Sequence, residues 1–568
     1  MFRIPAHLSW IMHWPLRVAV SLLACVIVIC PIFDYDLYWH LAYGREMWNS
    51  GTIIQYEPFS FTAEGTPFNN RSWLAQWLLY GVQHHGGWHA LLALKLVITS
   101  AVALFMFQTA LYLGAVRGVA AVAVLLGILA GHYRYTERPE IFTLLLLAML
   151  SWVLAGWRTG RLTVRWLWLI PPTMLVWDWL HGSVYGAVLL GMVVVLENVA
   201  VLRASTFAPL PPVSGLNRVA VVTLVVMLAN PLGIATYWEF FGHLAGVGNA
   251  AVVNNSEYFP LSRNPHDYAS FIFLAAIFFM LGGLQWRILL LPQAIVALAF
   301  VMLATQINRV TGVAAIAAAP VVALLVSRGI DSGAAIQKTA VAGLLLMVAM
   351  LVGDGLHHKV LKKDSPRALG WHVDDQFFPA GGARLVRELA IRGNMFNTGH
   401  IGGYLAWALY PERKVFHYNN GPTFGDPYRF WGRPDLLSPY DIDYAFIAHE
   451  AEFELFPVNQ WARIYRDPAA ALVVKRTPEN AELIALFELR HFHPMMNAQQ
   501  LDRLAMNYHV LSRLLDEMAV YLAYRKDDRM AREFARLVRR SPAALDSMLL
   551  RRYLDQATGY HPILSEFR

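Results

Sequence analysis

Asp34 and Asp36 stand one residue apart directly after the first long apolar run, in Asp34-Tyr35-Asp36-Leu37-Tyr38-Trp39-His40-Leu41. A carboxylate at a membrane surface is costly unless it is solvated, paired or used. Used, it can take a proton from an acceptor hydroxyl or amine, or hold a divalent cation (Mg2+ or Mn2+) against a phosphate leaving group. The plainer alternative is a helix N-cap with a solvated neighbour. A second charged turn reads Tyr133-Arg134-Tyr135-Thr136-Glu137-Arg138-Pro139-Glu140, with Pro139 opening the next helix. There Arg138 contacts a phosphate or pairs internally with Glu137 or Glu140. Arg71, between Asn69-Asn70 and a Trp-rich stretch, either clamps a lipid phosphate or snorkels to the headgroups.

Asp178 and His181, three residues apart, share a face if they lie on one helix. They then brace each other by a hydrogen bond, contact a substrate, or offer two metal ligands, which is too few for a site. Arg309 follows Gln306 and Asn308 at the end of an otherwise apolar helix, and a lone cation there needs an anionic partner. Asn254, Asn255, Glu257 and Arg263 populate a second long loop and suit an acceptor groove. Asn230-Pro231-Leu232-Gly233 reads as a helix stop and turn.

The elements that must position these groups are membrane spans. The chain has 568 residues, 57% hydrophobic and only 15% charged, with a mean hydropathy of +0.41. A soluble domain carries roughly a quarter charged residues, so lipid is the expected solvent for much of the chain. The net charge of +7 with 19 Trp fits membrane flanks better than a nucleic-acid surface, and no nucleic acid is expected. Apolar stretches fall at about 16–33, 89–114, 118–135, 141–157, 166–180, 184–202, 218–236, 269–285, 287–304, 309–327 and 338–356, about eleven spans. The first is expected to be uncleaved, because Cys30-Pro31-Ile32-Phe33-Asp34 lacks a small-x-small cleavage pattern. Cys25 and Cys30 are the only cysteines, so no disulfide framework is available.

Arg117, Arg158, Arg161, Arg165, Arg218, Arg287 and Arg328 fall in one set of connections. Asp34, Asp36, Glu46, Glu57, Glu137, Glu140 and Glu257 fall in the other. The basic set is expected in the cytoplasm with the N-terminus, and everything after about 357 outside it. The domains expected are a transmembrane part over 1–357 with external loops 34–88 and 237–268, an α/β domain over 358–478, and a helical, tetratricopeptide-like tail over 479–568. The tail offers a surface for a protein partner. No nucleotide-binding glycine motif or serine-hydrolase elbow is present in a fitting context.

Beyond single residues, Asp36-Leu37-Tyr38-Trp39-His40-Leu41, Glu57-Pro58-Phe59-Ser60-Phe61-Thr62 and Ser72-Trp73-Leu74-Ala75-Gln76-Trp77 occur in order. They are followed by Arg138-Pro139, His181-Gly182, Asn230-Pro231-Leu232-Gly233, Gly402-Gly403-Tyr404-Leu405 and Pro411-Glu412-Arg413-Lys414-Val415-Phe416. This series resembles GT-C-type glycosyltransferases, multi-spanning enzymes that use polyprenyl-phosphate-linked sugars, and within them a bacterial branch with a C-terminal soluble domain. Three positions depart from the pattern: Glu57 for Asp, Gln76 for Glu, and His417-Tyr418 for Ile-Asp.

The resemblance implies a mainly α, polytopic helical bundle followed by a small α/β domain and a helical cap, in a bacterial inner membrane. It implies an inverting transfer from a polyprenyl-phosphate donor to a glycan, lipid or protein acceptor outside the cytoplasm. Asp34 and Asp36 would be catalytic or bind the cation. Arg71, Arg138 and Arg309 would hold the phosphate, with His40, Glu137, Asp178 and His181 on the substrate side. A non-catalytic alternative uses the same scaffold to bind, flip or export a lipid-linked glycan.

Overall fold

The computed structural model describes residues 14–202, 212–229, 256–331, 353, 368–419, 430, 433–542 and 547–567. Asn230-Pro231-Leu232-Gly233, Asn254, Asn255 and the apolar stretch 338–356, Gly353 apart, lie outside them. The chain forms two compact units. Unit 1 comprises residues 1–34, 43–54 and 69–373, and unit 2 comprises 35–42, 55–68 and 374–568.

In unit 1 the described helices, Asp36–Ser50 apart, fall on the apolar stretches. They are α1 (Trp14–Val28), α2 (Asp36–Ser50, whose first turns fall in unit 2), α3 (Trp73–Leu113), α4 (Arg117–Ala130) and α5 (Glu140–Arg158). Then come α6 (Ile170–Leu180), α7 (Val184–Leu202), α8 (Val213–Met227), α9 (Ala269–Leu284), α10 (Pro292–Gln306) and α11 (Thr311–Asp331). By length and composition α3, α5 and the segment Asn308–Asp331 are long and apolar enough to cross a membrane, and six shorter helices are apolar.

Two expectations need physical adjustment. Helix α3 starts well before residue 89 because Trp73–Gly86 is also helical, joined to the span across a kink at Gly87, φ +66°. Only glycine takes that conformation without strain. The span expected at 118–135 stops at Ala130, because Gly131 ends α4 and His132–Arg134 tightens into a 3-10 turn.

Helix α11 is the hub, packed by α3, α4, α5, α9 and α10. Its Ala- and Gly-rich sequence is the reason: a Cβ on Gly127 of α4 would stand 2.7 Å from Ala319 Cβ, and one on Gly131 would stand 3.0 Å from Gly312 Cα. Small residues on both sides let the backbones approach, which replaces the hydrophobic drive that lipid does not supply.

Unit 2 is built on a four-stranded mixed sheet of order β1-β2-β4-β3. Its strands are β1 (Asn394–Asn397), β2 (Ile442–Ile447), β3 (Trp461–Arg466) and β4 (Ala471–Lys475). β1 runs parallel to β2, while β4 is antiparallel to both β2 and β3. Helix α12 (Ala380–Glu388) precedes β1, and α13 (Gly399–Leu409) follows it. Outside the sheet, Val415 makes a single parallel bridge to Ser60.

That bridge belongs to a tight seam. Val415 N donates to Phe59 O (2.9 Å), Phe61 N donates to Val415 O (3.1 Å), and Ser60 Oγ and Thr62 Oγ1 both donate to Phe416 O (2.8 and 2.7 Å). Glu57 accepts from the Phe59 and Ser60 amides at 2.8 and 2.9 Å with one oxygen, and from the Tyr418 hydroxyl with the other. Two of the three departures from the resembled pattern, Glu57 and Tyr418, therefore meet in one hydrogen bond.

The rest of unit 2 is helical: α14 (Ala481–Phe487), α15 (Ala498–Ala505), α16 (Tyr508–Tyr524), α17 (Asp528–Arg540) and α18 (Met548–Thr558). Polar residues start these helices by design of sequence. Asn497 and Gln500 form a capping box on α15, and Asn507, Asp527 and Ser547 cap α16, α17 and α18.

Candidate active site

The charged residues of unit 1 converge where α1 ends, the α4–α5 turn lies and α11 begins. Arg134, in the 3-10 turn after α4, donates from Nε to Glu140 Oε1 at 3.0 Å and also from Nη2 to Glu140 Oε2. Its Nη1 reaches Glu257 Oε1 at 2.9 Å. Arg138 places Nε 3.3 Å from Asp34 Oδ2 and donates from Nη2 to the same Glu257 oxygen. Arg309 Nη1 lies 3.4 Å from Glu257 Oε2 and donates to the Tyr258 hydroxyl at 3.1 Å. Three guanidiniums thus surround one carboxylate.

Local folding explains this convergence. Pro139 and Glu140 begin α5, so a carboxylate meets the positive end of that helix. Ser256–Tyr258 forms a 3-10 turn pinned to the start of α11, with Asn308 N donating to Phe259 O (3.0 Å) and Asn308 Nδ2 to Ser256 O (2.7 Å). Burial works against the charge of Glu257, but Arg134, Arg138 and Arg309 outweigh it and hold its carboxyl well below the usual range. Burial likewise opposes the charge on Arg134, and Glu140 with Glu257 more than offset it, so that guanidinium stays charged.

Of the two acids open to Arg138 as internal partners, Glu137 is taken elsewhere. Glu137 turns to Lys95 of α3, 2.5 Å from Nζ, with both side chains essentially buried (1% and 3% exposed). Arg138 and Glu140 approach only to 3.9 Å, since Arg134 already occupies Glu140. Burial pushes the Glu137 carboxyl upward against the pull of Lys95.

The Asp178–His181 brace does not form. Helix α6 ends at Leu180 and His181 turns into extended backbone, so the two side chains leave the common face. Asp178, fully buried, accepts from Ser183 Oγ at 2.8 Å and exerts an electrostatic pull on Arg71, whose pKa is lowered by burial in spite of it. His181 Nδ1 lies 2.9 Å from Thr143 Oγ1, one turn along α5 from Glu140. Asp36 and His40 belong to unit 2: Asp36 opens α2, and the His40 ring lies 3.6 Å from Trp39.

Burial pushes the His181 imidazole down to about 4, and Arg309, Arg138 and Arg134 add to that effect against Glu140. The unfolded chain therefore binds a proton near pH 6.5 that the folded protein refuses until about pH 4. Stability from this group is complete above pH 6.5 and declines as pH falls through that window. Between pH 6.5 and 5 the loss approaches about 2 kcal/mol. Exchanging His181 for Gln is expected to flatten the fall in Tm over this range, as read by thermal unfolding in detergent.

Among the described residues, no three His, Cys, Asp or Glu side chains are grouped to hold a metal ion. Asp34 faces the Arg138 guanidinium, and Glu140 and Glu257 are each held by arginines.

Arg134, Lys95 and the central position of Glu257 were not singled out by sequence reasoning. Lys95 carried a usable signal, a lone cation within a 41-residue helix of apolar character. Glu257, expected in an acceptor groove, is aimed at the arginines by the folded turn.

No family model and no curated protein matches the sequence. Solved structures do. The oligosaccharyltransferase AglB of Archaeoglobus fulgidus, in complex with an inhibitory peptide and a dolichol-phosphate, superposes with a TM-score of 0.55 at 12% identity, over 78% of this chain and 70% of its own. AglB is a GT-C glycosyltransferase. The chain has the GT-C fold. A second structure of the A. fulgidus enzyme, in complex with Zn and sulfate, gives a TM-score of 0.54 at 12% identity over 96% of this chain and 85% of its own. ArnT from Cupriavidus metallidurans in the apo state gives 0.47 at 15% identity, over 83% and 98%.

Proposed function

We propose that this GT-C-fold chain is a membrane glycosyltransferase that moves a sugar from a polyprenyl-phosphate-linked donor to an acceptor outside the cytoplasm. The observation that carries the reading is the convergence of Arg134, Arg138 and Arg309 beside Asp34. Binding of dolichol-phosphate and a peptide by AglB supports a lipid-linked donor and a separate acceptor.

In this reading Asp34 takes the proton from the acceptor nucleophile, whose lone pair attacks the anomeric carbon. The bond from that carbon to the phosphate oxygen breaks, and the oxygen keeps the electron pair. The arginines meet the charge that gathers there, in a partly buried setting where such contacts are stronger than in water. One displacement with one base inverts the anomeric centre. Arg138 ties the two halves together, since its Nε faces the base and its Nη2 faces the anion position. Arg71, Asp178 and His181 flank the donor, and the α/β and helical parts of unit 2 serve the acceptor or a partner.

The deciding experiment is mass spectrometry of lipid-linked and polymeric glycans in a deletion strain, complemented with wild type or Arg138→Gln. The expected result is a glycan missing from the deletion strain, restored by wild type and not by the variant at equal protein level. An unchanged glycan profile on deletion would sink the proposal.

A further inference from the structure

We propose that the Glu257 carboxylate is an internal stand-in for the donor phosphate: it fills the arginine cluster when the site is empty, leaves as phosphate enters, and returns to displace the product. This rests on the reading of the cluster as the phosphate site.

Both Glu257 oxygens are committed to the cluster, Oε1 to Arg134 and Arg138 and Oε2 to Arg309. A phosphate presents oxygens at similar spacing and can meet the same forks. The other two carboxylates are differently placed. Glu140 is gripped twice by Arg134 and is 4% exposed, and Asp34 faces the Nε of Arg138. Glu257 is 23% exposed against 12% for Asp34, so of the three acids it is the most open to water.

The exchange needs no movement of the chain. Asn308 holds the backbone on both sides of Glu257 through Ser256 O and Phe259 O. The side chain swings about a fixed turn.

Charge balance gives the device a purpose. With Glu257 out, three guanidiniums against Asp34 and Glu140 leave one net positive charge. That matches the single negative charge of a sugar phosphodiester. The lipid monophosphate released by transfer carries about −1.5 to −2 near neutral pH, so it would bind more tightly than the donor and stall turnover. A returning carboxylate competes with it for the same donors.

The test measures binding of undecaprenyl phosphate to the full-length protein in detergent, comparing wild type with Glu257→Gln, Glu257→Asp and Arg138→Gln. Glu257→Gln is expected to bind at least about tenfold tighter, one carboxylate competitor having been removed. Glu257→Asp, folded and charged but too short to reach all three arginines, should fall between the two. Turnover of Glu257→Gln should show kcat and KM falling together, as release of lipid phosphate becomes limiting. If Glu257→Gln and Glu257→Asp bind no tighter than wild type while Arg138→Gln loses binding, the stand-in role is wrong and the phosphate site stands. If Arg138→Gln binds as wild type does, the phosphate site itself fails, and the stand-in with it.

Discussion

Asp34→Asn is expected to lower the transfer rate by about 10²- to 10⁴-fold, the range set by losing a positioned general base. The protein should still fold, because Asn keeps the volume and a hydrogen-bonding oxygen for Arg138. Asp36→Asn should stay within a few-fold of wild type. The difference comes from where the two acids fall. Asp34 belongs to unit 1 and lies 3.3 Å from Arg138, whose other arm reaches the anion position. Asp36 is the first residue of α2, where a carboxylate favours the helix start by about 0.3–1 kcal/mol. The measurement is single-turnover transfer with purified protein and a lipid-linked sugar. Equal loss in both variants, or in neither, would reject Asp34 as the base.

Lys95→Met is expected to destabilise the protein by about 3–5 kcal/mol, because it strands Glu137 as a buried, unpaired acid. Joining it to Glu137→Gln should recover most of that loss, since two neutral side chains need no counter-charge. The pair is nearly inaccessible at 1% and 3% exposure, and Lys95 Nζ also lies 3.5 Å from Cys30 O. Removing only the cation therefore leaves the full desolvation penalty of the anion. Thermal unfolding in detergent reads both variants. A double variant no more stable than the single one would mean that the pair does something other than neutralise itself.

The contrast between Asp34 and Glu257 shows what the sequence reveals. Helix positions were legible because apolar length is a one-dimensional property, and α5, α9 and α11 fall within a few residues of the expected stretches. Asp34, Arg138 and Arg309 were legible because an isolated charge beside an apolar run demands a partner. Which partner was not legible. The Asp178–His181 spacing suggested a brace, but the brace needed α6 to continue one turn beyond Leu180, and it does not. Glu137, one of two acids open to Arg138, is taken by Lys95, 42 residues earlier in sequence. Partner choice depends on distances that only the folded chain defines. The same holds for Glu57 and Tyr418: as separate substitutions each looks like a lost feature, and together they are one contact.

The seam between residues 57–62 and 415–418 has a consequence for how the chain is made. Ser60 and Phe416 are 356 positions apart, and the ribosome adds about 5–20 residues per second. The first-loop segment is thus completed roughly 20–70 s before its partner exists. Throughout that interval Phe59, Phe61 and the Glu57 carboxylate must be kept from other associations. Unit 2 can close only as one of the last events of synthesis. A nascent chain halted before residue 415 should therefore expose this segment to proteases and chaperones, and the finished chain should hide it.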